Sequence, residues 1–201
     1  MNPGLIIRGW WKRVLGGKRG TNAVSVRGAE GEFPRGSVLG SGSRGAPTPT
    51  DLEMMTRALE LARAAAERGE VPVGAVVYRT GPAGPEILGE GRNTRERDKN
   101  PAGHAEFLAI QHACERLADW RLEGCTLVVT LEPCPMCAGL IVNARVPRVV
   151  YGAADPKAGA VASLFSLLND PRLNHRCEVL AGVRAEESAT LLRDFFRRLR
   201  S

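Results

Sequence analysis

The chain contains no apolar run near the ~20 residues a membrane-spanning helix needs, which points away from a membrane protein. Leu5-Ile6-Ile7 is stopped by Arg8 and is too short for the core of a secretory signal. Five cysteines, an odd and scattered number, do not make a disulfide framework. An intracellular, reducing setting is therefore expected, with a cytoplasmic location. A charge excess is also missing from most of the chain, although the formal net charge is +6. Of 28 Lys/Arg and 22 Asp/Glu, eight and two fall in residues 1–50, which leaves twenty of each sign over residues 51–201. The net charge of that larger part gives no support to nucleic-acid binding, which would need a local basic face.

Residues 1–50 read as a basic tail rich in Gly, Ser, Arg and Pro, with the composition of a disordered segment. A neutral tail, a targeting extension and a start codon placed too early upstream of Met54 or Met55 all fit it. Trp10-Trp11-Lys12-Arg13 also fits a short basic-aromatic contact with nucleic acid or membrane. Gly40-Ser41-Gly42-Ser43-Arg44-Gly45 matches G-x-G-x-x-G by letter, but no strand precedes it and Pro47 and Pro49 follow, so it is read as a false match.

Residues 51–201 read as one domain; 43% of the whole chain is hydrophobic, enough for a real core. Leu52, Met55, Leu59, Ala62 and Ala66 form one helical stripe ended by Gly69. Val71–Arg79 and Glu86–Asn93 read as strands joined by a Gly-Pro turn. Phe107, Ile110, Cys114 and Leu117 place a helix over residues 104–118. The strand Thr126–Leu131, a helix from about Cys134 and the strand Arg148–Gly152 follow. A short helix around Ser163–Leu168, the strand Cys177–Val183 and a closing helix Glu187–Arg200 complete the chain. This alternation predicts a three-layer α/β/α domain around a five-stranded sheet. Arg193, Arg197, Arg198 and Arg200 read either as the solvated face of the last helix or as a nucleic-acid contact.

The chemistry is concentrated in His104-Ala105-Glu106 and Pro133-Cys134-Pro135-Met136-Cys137. His104, Cys134 and Cys137 are three zinc ligands, and a tetrahedral zinc with three protein ligands keeps its fourth position for water. Zinc lowers the pKa of a bound water from about 15.7 to about 7, which makes hydroxide available at neutral pH. Glu106 is not needed as a ligand. It is placed to take the water proton, protonate a ring nitrogen and help ammonia leave. Cys134 and Cys137 lie one turn apart at a helix start, where the helix dipole favours thiolates. Two helix starts facing each other across a sheet would unite the three ligands. A structural zinc would need a fourth ligand. The spare candidates, Cys114, Cys125, Cys177, His112 and His175, lack ligand-like spacing, and the three cysteines are read as small core residues. The H-x-E…P-C-x-x-C order is the signature of zinc-dependent nucleobase deaminases.

Further stretches narrow the resemblance. They are Val71-Pro72-Val73-Gly74-Ala75-Val76, Thr130-Leu131-Glu132-Pro133-Cys134, Asp155-Pro156-Lys157-Ala158-Gly159-Ala160, Leu173-Asn174-His175-Arg176 and Asp194-Phe195-Phe196. From about Asp51 onward the chain resembles the bacterial tRNA-specific adenosine deaminases of the cytidine deaminase-like superfamily. The resemblance implies one Zn2+ per chain and a cytidine deaminase-like fold with a five-stranded mixed sheet. It implies hydrolysis of adenosine to inosine at the first anticodon position of tRNA, usually the arginine tRNA with anticodon ACG. It also implies a homodimer that binds the anticodon stem-loop and extrudes the target base. Asn93 matches a contact to the target nucleoside, and Asp155 and Lys157 match a loop that approaches the stem-loop. Two other readings remain: a deaminase of a free base or nucleotide, and a zinc-stabilised RNA-binding or non-catalytic subunit.

Overall fold

The structure, a computed structural model, describes residues 45–200. The expected tail lies up to residue 44 outside them, with Trp10-Trp11-Lys12-Arg13 and most of Gly40–Gly45.

Helix α1 (Pro49–Ala66) starts two residues before Asp51 because Thr48 and Asp51 close a capping box, with Pro49 at the first helical position. Met54, Met55, Ala58, Leu59, Leu61, Ala62 and Ala65 are its buried face, while Leu52, expected in the stripe, is exposed. Strands β1 (Gly74–Gly81) and β2 (Gly84–Arg92) form an antiparallel pair. β1 begins later than Val71, since Pro72 has no N–H to give to a ladder. A four-residue helix that the sequence did not suggest, α2 (Arg95–Asp98), follows. Buried Glu70 holds it by accepting the N–H groups of Glu96 (3.1 Å) and Arg97 (2.7 Å).

Helix α3 (Ala105–Leu117), strand β3 (Cys125–Leu131), helix α4 (Pro135–Asn143) and strand β4 (Arg148–Ala153) come next. Strand β5 (Glu178–Ala181) is shorter than expected, and α5 (Ala185–Arg198) starts two residues earlier. The helix expected around Ser163–Leu168 is only a 3-10 turn at Leu167–Asn169. The N–H groups of residues 161–163 go to the Glu132 side chain, and Leu164 and Leu167 reach back to Gly159 and Ala160, so no α-helical ladder forms.

The five strands run β2-β1-β3-β4-β5, with β1 antiparallel to β2 and β3, and β3, β4 and β5 mutually parallel. The sheet is mixed, with an α/β architecture as expected. Alternate residues feed two cores. Ala75, Val77, Leu127, Val129, Val149 and Tyr151 pack with Ala109 and Ile110 of α3 and Ile141 of α4. Val76, Tyr78, Val128 and Val150 pack with α1 and with Leu191 of α5. Helices α3 and α4 therefore share one face. The expectation that their starts meet across the sheet is corrected: they lie side by side. Gly91 lets α3 approach β2 closely, because a Cβ there would overlap the carbonyl oxygen of Ala105.

Asp51 ties the opposite layer together. It is fully buried, accepts two hydrogen bonds from Arg148 of β4 (2.6 and 2.9 Å) and one from the Tyr78 hydroxyl (3.2 Å). Burial pushes its carboxyl up, but bonds from Arg148 and Thr48 prevail and hold it at about 2. The carboxylate form is the one that stabilises the fold, so this contribution is complete above about pH 4 and lost as pH falls through about 2. Asp51→Ala should cost about 2–3 kcal/mol at neutral pH, since it also strips Arg148 of its closest partner and leaves it only the exposed Glu178. In urea titrations at pH 7 and pH 2.5, the wild-type advantage should shrink at the lower pH; an equal gap at both would disprove this account.

Candidate active site

Three parallel-running strands, β2, β3 and β4, end at the same edge of the sheet, because β2 and β3 both oppose β1. The segments leaving them carry Asn93, Pro133–Cys137 and the Asp155–Lys157 loop. His104 is the N-cap of α3 and Cys134 the N-cap of α4, both in extended conformation. Neither caps its helix with its own side chain, which leaves both side chains available for other work. Pro135 opens α4 at a position where no N–H is required.

The Nδ1 of His104 lies 3.6 Å from Sγ of Cys134 and 3.6 Å from Sγ of Cys137. The three donor atoms all fall within 4.8 Å of one another. A tetrahedral zinc with Zn–S near 2.3 Å and Zn–N near 2.05 Å separates N from S by about 3.6 Å, so the cluster fits that ion in size as well as donor type. Among the described residues no other group of three such side chains is drawn together. His112 bonds the carbonyl of Glu90 and His175 that of Val146, each at 2.8 Å. Cys114, Cys125 and Cys177 are free thiols, the last two buried.

The cluster's electrostatics follow from its crowding. The Cys137 thiol hydrogen-bonds Cys134 and, with help from His104, holds it down at about 4. Cys137 is driven up by that bond and by burial. His104 is raised, first by its bond to Cys134. Glu106 sits in the first turn of α3, 4% exposed, and burial lifts its carboxyl to about 7 against the pull of its own backbone N–H and of His104.

Asn93 does something the sequence did not suggest. Its Oδ1 accepts the N–H of Ala105 at 3.0 Å, so it caps α3 in place of His104. Asp155 is half-buried and folds its own loop, accepting the N–H groups of Lys157 (2.9 Å) and Ala158 (3.1 Å). Lys157 is exposed on the same loop. Asn174 bonds Arg145 at 2.7 Å, which with His175 fastens the 173–176 segment to the turn between α4 and β4. On α5, Arg193 pairs with Glu186 and Arg197 with Asp194, exposed pairs that stabilise little. Glu132, a lone acid ending an apolar strand, is buried and bonded, and that placement is the only mark it carries in the sequence.

A MafB19-like deaminase family model matches residues 50–200. The tRNA-specific adenosine deaminase of Bacillus subtilis is 50% identical over 146 residues, covering 73% of this chain and 88% of that protein. A tRNA(Ile)-lysidine synthase of Deinococcus deserti is 51% identical over 154 residues, 76% of this chain; the match spans 28% of that longer protein, so its name carries no argument for this chain. A solved structure from work on A-to-I editing by tRNA:A34 deaminases at the wobble position superposes with a TM-score of 0.65 at 42% identity, covering 70% of this chain and 99% of its own. On its sequence, its fold and its relatives, the chain belongs to the tRNA-specific adenosine deaminases, within the cytidine deaminase-like superfamily.

Proposed function

We propose that this protein is a zinc-dependent hydrolase that converts adenosine to inosine at the first anticodon position of tRNA, with tRNA-Arg(ACG) as its substrate. The observation that carries the reading is the His104–Cys134–Cys137 donor set beside buried Glu106, in a chain 50% identical to a tRNA-specific adenosine deaminase. Residues 51–201 form the catalytic domain in this reading and residues 1–50 a basic extension. The protein acts as a homodimer in the cytoplasm.

His104, Cys134 and Cys137 hold one zinc, which when bound supplies the acidity that yields a nucleophile from water at neutral pH. Glu106 moves the protons. It accepts one from the attacking water, delivers it to N1 of the adenine ring, and assists protonation of the exocyclic amine. A C6–O bond forms, the C6–N6 bond breaks, and adenosine plus water becomes inosine plus ammonia. Burial of Glu106 keeps its proton from exchanging freely with bulk water during the reaction. Asn93 uses its oxygen on α3, which leaves its amide N–H groups to donate to the target nucleoside. Asp155 and Lys157 lie on the loop that meets the anticodon stem-loop. Single-stranded loop bases can be splayed and extruded at lower cost than paired ones, which suits an anticodon substrate.

Transcribed tRNA-Arg(ACG), incubated with the protein and sequenced, should show inosine at the first anticodon position. No inosine from protein holding one zinc per chain would overturn the proposal. Glu106→Ala should lower turnover by about 10²–10⁴ or more while keeping zinc and tRNA binding. Cys134→Ala should emerge without stoichiometric zinc, since two protein donors hold it poorly; a fully loaded variant would exclude this ligand set. Asn93→Asp keeps an acceptor for Ala105 but has no donor. It should match the wild type in melting temperature and lose deamination, whereas full activity would reduce Asn93 to a helix cap.

A further inference from the structure

Glu132 stands between the end of β3 and the metal-ligand turn, two residues before Cys134 and 2% exposed. Its carboxylate is fully engaged. Oε1 accepts the N–H groups of Val161 (3.1 Å), Ala162 (2.8 Å) and Ser163 (2.9 Å). Oε2 accepts the N–H of Asp155 (3.0 Å) and the Ser163 hydroxyl. The Glu132 N–H donates to Ala153, and the carbonyl of Pro133 receives the N–H of Ala160, each at 2.8 Å. Both ends of the 155–163 loop are thereby gathered onto the two residues that precede Cys134.

Packing alone does not call for an acid here. A buried carboxylate is costly unless its lone pairs are met, and an apolar side chain would fill the space without that demand. Gly159 shows how closely the loop wraps it: a Cβ there would overlap the carboxyl carbon and Oε2 of Glu132. The loop also carries Asp155, whose side chain orders the turn containing Lys157.

From this geometry we infer that Glu132 is a positioning residue, locking the 155–163 loop to the Cys134 turn so that the RNA-contacting groups sit at a fixed distance from the reacting centre. The inference rests on the deaminase reading above. Glu132 itself touches no substrate; it acts through Asp155 and the loop. Removing the lock frees the loop while leaving His104, Glu106 and the cysteines in place, so substrate binding suffers before chemistry does.

Two variants of the full chain test this. Glu132→Gln keeps one oxygen for residues 161–163 but turns an amide N–H2 toward the N–H of Asp155, which breaks that bond. Gly159→Ala displaces the carboxylate from the other side. Each should keep one zinc per chain and a kcat within about threefold, with KM for tRNA-Arg(ACG) raised roughly tenfold or more, the scale of a lost charge-assisted hydrogen bond. Hydrogen exchange should quicken at the Asp155 amide while the β3 and β4 amides stay protected. The double variant should be little worse than the stronger single one, since both break the same contact. Unchanged KM and unchanged exchange at Asp155 would overturn the inference. So would joint loss of zinc, kcat and protection across the sheet in both variants, which would make Glu132 a fold stabiliser only. If the wild type itself makes no inosine, the deaminase reading fails on that control, and exchange at Asp155 alone decides whether Glu132 holds the loop.

Discussion

The His104 Nδ1 lies 3.6 Å from each of the two sulfurs, and all three donor atoms fall within 4.8 Å of one another; holding a tetrahedral ion there would tolerate only small departures from that spacing. The donors come from two segments thirty residues apart, and the fold must bring those segments together to a fraction of an ångström. Beyond the packing of both helices on the sheet, close backbone approach and capping set the placement. Gly91 removes the Cβ that would hold α3 off the sheet. Asn93 takes over the capping of α3, so the His104 ring is free to turn toward the sulfurs. Pro135 starts α4 immediately after Cys134, which puts Cys137 on the same turn. Since both helices lie on one face of a sheet, errors in strand twist move them together rather than apart.

Much of this was legible in the sequence. The helix and strand periods gave the α/β alternation, since apolar spacing reports burial on one face. The order of His104, Glu106, Cys134 and Cys137 suggested a three-donor site because ligand chemistry leaves few alternatives. Which layer each helix occupies was not legible: a period of 3.6 says that a helix has a buried side, not which side of the sheet that side meets. The start at Pro49 depends on a reciprocal pair of hydrogen bonds between Thr48 and Asp51, which propensity alone does not weigh. The short helix α2 and the missing helix near Ser163 share one cause. In both, a distant carboxylate, Glu70 or Glu132, takes the N–H groups that decide the local conformation. Such long-range partners leave no mark within a window of ten residues.

Glu106 and Glu132 are the same residue type, both buried, both within two positions of a metal-ligand candidate, and their surroundings push them in opposite directions. Glu132 meets four N–H groups and a hydroxyl. Burial would raise its carboxyl, but those donors, Ser163 foremost, hold it below the usual range. It stays an anion and a fixed point of the loop. Glu106 has its own backbone N–H and the thiol of Cys137 for company, and burial prevails. An acid bonded on every lone pair cannot easily take up a proton, whereas one left short of donors can hold and release it. Pairs of carboxyls driven apart in this way commonly divide the labour of a site between structure and proton transfer. The number of hydrogen bonds each acid receives therefore sets the direction of its carboxyl, where burial alone would class the two together.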